Sequence, residues 1–203
     1  MKYLSDYGMW WADEEGKERD LFVYMMRRVT DVDLAVKLCR TTGICVQAGG
    51  FMGMWPRRLA KTFEYVYTFE PVPYAYECLK KNVAHLPQVI CTNAALTNRV
   101  GITKFEVKTG GRSTPNAPAG LPVATVTIDS LDLIRCDAIF LDVERSELAA
   151  LEGAAQTLAK FSPVVTLEIK EDTAADYDRF MADRGYARAA LVHGDAIYAK
   201  GTK

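Results

Sequence analysis

The residues with chemical reach gather in a few short stretches. Asp142 and Glu144 stand two apart in Leu141-Asp142-Val143-Glu144-Arg145-Ser146-Glu147. At that spacing they share a face wherever the chain is extended. Glu168 closes another apolar run, in Leu167-Glu168-Ile169-Lys170. Three carboxylates on one rim can act as a general base, attract a sulfonium or ammonium group, or bind a divalent ion. The plainer reading makes Glu144 and Glu147 first-turn acids that complement a helix dipole. A second group begins at Ala48-Gly49-Gly50-Phe51-Met52-Gly53. Glycines there let the backbone turn tightly and approach a ligand. Glu70 follows Gly53 by 17 residues, in Phe69-Glu70-Pro71. An acid at that place accepts hydrogen bonds from both hydroxyls of a ribose. In Thr92-Asn93-Ala94 an amide side chain precedes a backbone N–H, a pair able to read an adenine edge. The plainer readings are a helix cap for Glu70 and a turn residue for Asn93. The set fits a nucleoside-containing cofactor, and its A-x-G-x-x-G plus acid also fits a nicotinamide dinucleotide.

These groups need strands and helices to hold them. Apolar runs at 44–48, 65–69, 88–92, 137–141 and 164–167 read as short strands, and 105–107 and 124–128 as accessory ones. Helical spacing separates them: about 55–63 with Pro56 in its first turn, 73–81 opened by Pro73, and a stretch carrying Leu148, Leu151, Ala155 and Leu158. Thr173 with Asp176 resembles a capping box for a helix ended by Gly185, and 187–199 fits a terminal strand pair around Gly194-Asp195. Upstream, 1–16 reads as an aromatic, acidic arm or short helix. Helices follow at 17–29 and 31–42, the second with Thr30 and Asp33 as a capping box and Gly43 as its stop. Residues 109–122 hold three Gly and three Pro and read as a long loop, either a lid or a surface excursion. The division is a helical arm over 1–43 and a cofactor domain over 44–203. Strand–helix alternation implies a mainly parallel sheet with helices on both faces, its ligands at the carboxyl ends of the strands.

Composition narrows the partners. The chain has 203 residues, 49% hydrophobic and 25% charged, which is ordinary for one globular domain. Its net charge of −1 argues against a nucleic-acid partner held by bulk charge and favours a small-molecule substrate. Five cysteines without a C-x-x-C read as reduced thiols in a cytoplasmic compartment, and no run is long enough to span a membrane. The oligomeric state is not legible.

One family shows this order of motifs: Val46-Gln47-Ala48-Gly49-Gly50-Phe51-Met52-Gly53; Tyr67-Thr68-Phe69-Glu70-Pro71-Val72-Pro73; Asn93-Ala94-Ala95-Leu96; Thr127-Ile128-Asp129-Ser130-Leu131; Leu141-Asp142-Val143-Glu144 with Glu147 and Leu151-Glu152-Gly153-Ala154; and Pro163 with Glu168. Over about 44–170 the chain resembles the FkbM-type methyltransferases. The Q-A-G-G opening and Trp55-Pro56 resemble versions found in phage genomes. The resemblance implies a Rossmann-like class I methyltransferase fold, α/β, with a mainly parallel seven-stranded sheet and an antiparallel C-terminal strand. It implies S-adenosyl-L-methionine as methyl donor, S-adenosyl-L-homocysteine as product, and transfer to an oxygen of a small or sugar-like acceptor in the cytoplasm, of the host if the gene is viral. By position, Gly49 and Gly53 flank the methionine part, with Gln47 and Gly50 in the same segment. Glu70 and Pro71 serve the ribose, and Asn93 and Ala94 the adenine. Asp142 and Glu144 line the transfer site, Asp142 or Glu168 is the base, and Glu144 orients the acceptor.

Three residues depart from the family pattern. Gln47 stands where Asp is usual, Phe51 where Asn is common, and Arg145 where Gly is usual. Arg145 is expected either to pair with Glu144, to bind an anionic substrate or to point outward. The departures keep a non-catalytic nucleoside-binding protein of the same fold as an alternative. The carboxylate cluster keeps metal-assisted transfer as another, although a divalent metal is not expected.

Overall fold

The apolar runs pair into a seven-stranded sheet whose central strands are buried on both faces. A computed structural model describes residues 1–4, 8–11, 22–26, 32–107, 113–115 and 117–201. The sheet strands are β3 (Ile44–Ala48), β4 (Tyr65–Phe69), β5 (Val89–Thr92), β10 (Ala138–Leu141), β11 (Val164–Glu168), β12 (Ala187–Val192) and β13 (Asp195–Ala199). Their spatial order is β12-β13-β11-β10-β3-β4-β5, and β13 alone runs against the others. Every residue of β3 and β10 is buried, which explains their unbroken apolar character. From β3 the chain steps outward through β4 to β5, then returns to β10 on the other side of β3. The order therefore reverses between β3 and β10, and a crevice opens at their carboxyl ends. At the opposite ends Asp137 joins the same two strands, accepting from the N–H groups of Gly43 at 2.8 Å and Ile44 at 2.9 Å.

Helices cover both faces: α1 (Val32–Leu38), α2 (Met54–Leu59), α3 (Pro73–Val83), α4 (Glu147–Glu152), α5 (Ala155–Phe161) and α6 (Ala174–Ala182). Strand alternation divides the core in two. Cys45, Val66 and Phe140 pack with Trp55 and Trp11 on one face, while Val46, Ile139 and Val165 pack with Leu151, Leu158 and Tyr177 on the other. A smaller sheet of order β6-β9-β7-β8 lies between β5 and β10 in sequence. It comprises β6 (Ala95–Leu96), β7 (Gly101–Val107), β8 (Ser113–Pro115) and β9 (Leu121–Val126).

Several local expectations change. Of the expected arm at 1–16, β1 (Lys2–Leu4) and β2 (Met9–Trp11) form an antiparallel pair, while 5–7 and 12–16 lie outside the described residues. This hairpin is fastened to α3 by Asn82, whose Oδ1 accepts from Trp10 N at 2.6 Å and whose Nδ2 donates to Trp10 O and Met52 O, both at 2.7 Å. Residues 22–26 are helical, and the rest of the 17–29 stretch lies outside the described residues. The helix expected to run to Gly43 ends at Leu38, and its capping Thr30 is also outside them. Part of the expected loop at 109–122 is strand, in β8 and the start of β9. The stretch after β10 is two helices. Gly153 separates them, because a Cβ there would lie 2.1 Å from the Thr97 carbonyl oxygen. Asp129 caps the second, accepting from the N–H groups of Gln156 and Thr157 at 2.9 and 2.8 Å. The Thr173–Asp176 capping box does not form. Thr173 Oγ1 instead bonds back to Lys170 N and Lys170 O.

Candidate active site

The crevice at the switch point is a cleft of about 450 Å³, open to solvent. Gly49, Glu70, Pro71, Ala94, Asp142 and Glu144 all line it. Local backbone chemistry explains how they meet. After β3 the chain turns through Gly49, whose φ is +82°. A Cβ there would sit 2.0 Å from the Asp142 carbonyl oxygen, so only glycine lets β10 come this close. Gly50 and Gly53 have a different use: the space beyond them is filled by Leu79 of α3. Phe51, in the left-handed region at φ +42°, sends its ring edge-on against Trp11 at 5.7 Å.

Glu70 is the best-held acid. It is 5% exposed, and its two oxygens accept from Phe51 N and Val72 N, each at 2.8 Å. Burial pushes its carboxyl up to about 7, against the pull of those two N–H donors. Asn93 is exposed beside it. Its Nδ2 donates to Glu70 O at 2.8 Å and Pro71 O at 3.1 Å, which ties the ends of β4 and β5 together and leaves Oδ1 as the acceptor at the rim.

On the opposite wall, Asp142 and Glu144 do not share an extended face. The strand ends at Leu141, and Glu144 and Arg145 are both left-handed, at φ +45° and +68°. Glu144 is held by Lys170, whose Nζ lies 3.0 Å from Glu144 Oε2 and 3.4 Å from Glu168 Oε2. Burial draws the Lys170 ammonium down in pKa, but the two carboxylates outweigh it and the net shift is upward. Glu168 thus reaches the cleft through Lys170. Arg145 forms no ion pair with Glu144: its Nη1 lies 2.7 Å from Asp172 Oδ2 at the surface. Glu147 is the first-turn acid of α4, as expected, and it is also buried. It is 1% exposed, accepts from Val143 N at 3.2 Å and from the Tyr177 hydroxyl at 2.8 Å, and so locks the loop after β10.

Gln47 lies outside the cleft. It lines a second, small cavity with Trp55, Thr166 and Asp195, and Asp142 borders both spaces. Its carboxamide is engaged within the sheet, donating to Ala48 O at 3.0 Å and accepting from Thr68 Oγ1 at 2.5 Å. Lys170, Ser146, Thr166 and Asp195 also stand at or beside these two spaces, and no motif marks them. Their sequence signal is position alone, Lys170 two residues beyond Glu168 and Asp195 opening the last strand. Ser146 is buried in the cleft wall, and its Oγ has no hydrogen-bond partner among the described residues.

Residues 51–187 match the family model of the methyltransferase FkbM domain. The chain belongs to the FkbM methyltransferase family. It is similar in fold to the crystal structure of the FkbM methyltransferase from Methylobacillus flagellatus KT, with a TM-score of 0.59 at 18% identity. That likeness covers 78% of this chain and 43% of the other, so this FkbM chain spans less than half the length of that relative. The magnesium protoporphyrin IX methyltransferase from Synechocystis PCC 6803, solved with bound SAM, has a TM-score of 0.59 at 14% identity, over 95% of this chain and 87% of that one. An rRNA methylase from Streptococcus thermophilus has a TM-score of 0.57 at 11% identity, over 85% and 95%. At these identities the likeness is one of fold, the class I methyltransferase fold with a mostly parallel seven-stranded sheet. No curated protein matches the chain.

Proposed function

We propose that the protein transfers a methyl group from S-adenosyl-L-methionine to a hydroxyl of a small, uncharged acceptor and releases S-adenosyl-L-homocysteine. The observation that carries this reading is Glu70, a buried carboxylate held at the floor of a cleft whose far wall presents Asp142 and Glu144. The residues fit the cofactor. Each Glu70 oxygen takes one backbone N–H, which leaves it capacity to accept a ribose hydroxyl. Ala94, Leu96 and Phe105 give an apolar slot for a base, and Asn93 Oδ1 an acceptor at its edge. The bound cofactor supplies an activated sulfonium methyl, so the chain's own tasks are positioning and proton removal. Asp142 takes the acceptor's proton, since it lines the cleft directly. Lys170 holds Glu144 in place to orient the acceptor, and links Glu168 to it. Ser146 Oγ, buried without a partner, offers a further contact to the acceptor.

Removing Glu70 should be decisive for the cofactor. Glu70→Ala is expected to weaken S-adenosylhomocysteine binding roughly tenfold to a hundredfold by calorimetry, the size of a lost charge-assisted hydrogen bond. An unchanged affinity overturns the cofactor assignment. Among the described residues no group of three His, Cys, Asp or Glu side chains is placed to hold a metal ion. A cytoplasmic location, in the host if the gene comes from a phage, rests on five free cysteines and on the phage-like Q-A-G-G and Trp55-Pro56.

A further inference from the structure

Glu70 is aimed from outside the cleft. Its Oε2 accepts from Phe51 N and its Oε1 from Val72 N, each at 2.8 Å, so the glycine loop and the start of α3 bracket the carboxylate. Phe51 presents its N–H from a left-handed backbone, φ +42°, which a bulky side chain disfavours. Relaxing that φ would turn the peptide plane that carries the N–H, so the loop has to be held. Two contacts hold it. Trp11 of the N-terminal hairpin is fully buried and meets the Phe51 ring edge-on at 5.7 Å. Asn82, in the last turn of α3, donates from Nδ2 to the carbonyl of Met52, the next residue of the loop, at 2.7 Å. The same side chain bonds Trp10 through both N and O, and Lys81 Nζ lies 4.1 Å from the centre of the Trp10 ring.

Hairpin, helix end and loop thus make one continuous chain of contacts that ends on Glu70, although neither Asn82 nor Trp11 is among the residues that line the cleft. We propose that Asn82 and Trp11 are positioning residues for the nucleoside site: they fix the loop at Phe51 and Met52 so that its N–H meets Glu70, and the N-terminal hairpin thereby sets how tightly the methyl donor binds. The inference rests on the cofactor reading above. Its mark is electrostatic. Burial raises the Glu70 carboxyl to about 7, and the Phe51 and Val72 N–H groups pull the other way by favouring the ionised form. The titratable groups on the facing wall are Asp142 and Glu144, with Lys170 behind Glu144. A loosened loop withdraws one donor, so Glu70 ionises at higher pH and accepts ribose hydroxyls less readily at neutral pH.

Calorimetry with S-adenosylhomocysteine between pH 6 and 9 tests this. Asn82→Ala is expected to weaken binding about fivefold or more at pH 7. It should also move the pH at which affinity levels off upward by about half a pH unit or more, so that the loss shrinks at pH 9. Trp11→Phe is a milder change in the same sense and carries the comparison if Asn82→Ala does not fold. Leu158→Ala, which opens the opposite core, should lower stability and leave both the affinity and its pH midpoint unchanged. Asn82→Ala and Trp11→Phe variants that behave like Leu158→Ala, or that weaken binding equally at pH 7 and 9, overturn the inference and leave the cofactor reading standing. A wild-type protein that does not bind S-adenosylhomocysteine ends both.

Discussion

Glu70 gives the molecule a pH signature of its own. Its carboxyl rises from 4.5 to about 7 on folding, chiefly through burial. Between those values the folded chain keeps a proton that the unfolded chain has released. Stability therefore falls as pH rises through that window, by about 3 kcal/mol at most, and the change is complete above about 7. Glu70→Gln should remove that part of the slope, as denaturant titrations at pH 5 and 8 would show; an identical slope in the variant refutes it. Binding runs the other way. Ribose hydroxyls donate to an ionised carboxylate, so S-adenosylhomocysteine affinity should drop about tenfold per unit below pH 7 and level off above it. Gly49 is constrained at the same scale. Gly49→Ala meets both a left-handed backbone and the Asp142 carbonyl, and should cost about 3 kcal/mol or more, seen as a fall of several degrees in Tm.

At the scale of elements, the N-terminal hairpin is part of the machinery that shapes the glycine loop. Trp11 is fully buried against Phe51, and Asn82 bonds both Trp10 and Met52. This explains how Phe51 is tolerated where the family commonly has Asn. The left-handed backbone disfavours a bulky side chain, but the ring fills a place against Trp11. Asn82→Ala removes three hydrogen bonds, one buried and two partly buried, and should cost about 2–3 kcal/mol. Hydrogen exchange at the Trp10 amide should accelerate more than at β3; equal protection in the variant would count against the anchor. Arg145 tells a related story. Its left-handed φ of +68° is the conformation that a glycine adopts without strain, and its head group goes outward to Asp172.

For the whole molecule, the five cysteines are free and most are deep in the two cores. Burial pushes Cys91 up to about 11 and Cys39 up to about 12, and raises Cys45 and Cys136 as well. Thiolates are the reactive species, so the native protein should resist a thiol reagent at pH 8 and release five equivalents only on unfolding. Fast labelling of Cys45, Cys78 or Cys136 in the native state would contradict their burial. Strong chelation should leave S-adenosylhomocysteine affinity unchanged, in keeping with an ammonium, Lys170, already bridging Glu144 and Glu168.

Local chemistry by itself determined much of this protein. The sheet strands, most helices and the glycine turn are written in runs of apolar residues and in Gly and Pro, whose effects act within a few positions. Motif order carried the family and placed Gly49, Glu70, Pro71, Ala94, Asp142 and Glu144 on one rim. Tertiary structure alone decided what each side chain meets. Gln47 and Thr166 are far apart in sequence yet share a cavity, because β10 separates their strands by one place in the sheet. Lys170 becomes a clamp only because β10 and β11 lie side by side. Asp195 reaches the second cavity through the antiparallel return of the last strand. Such contacts depend on strand order and register, which are set by packing across the whole core.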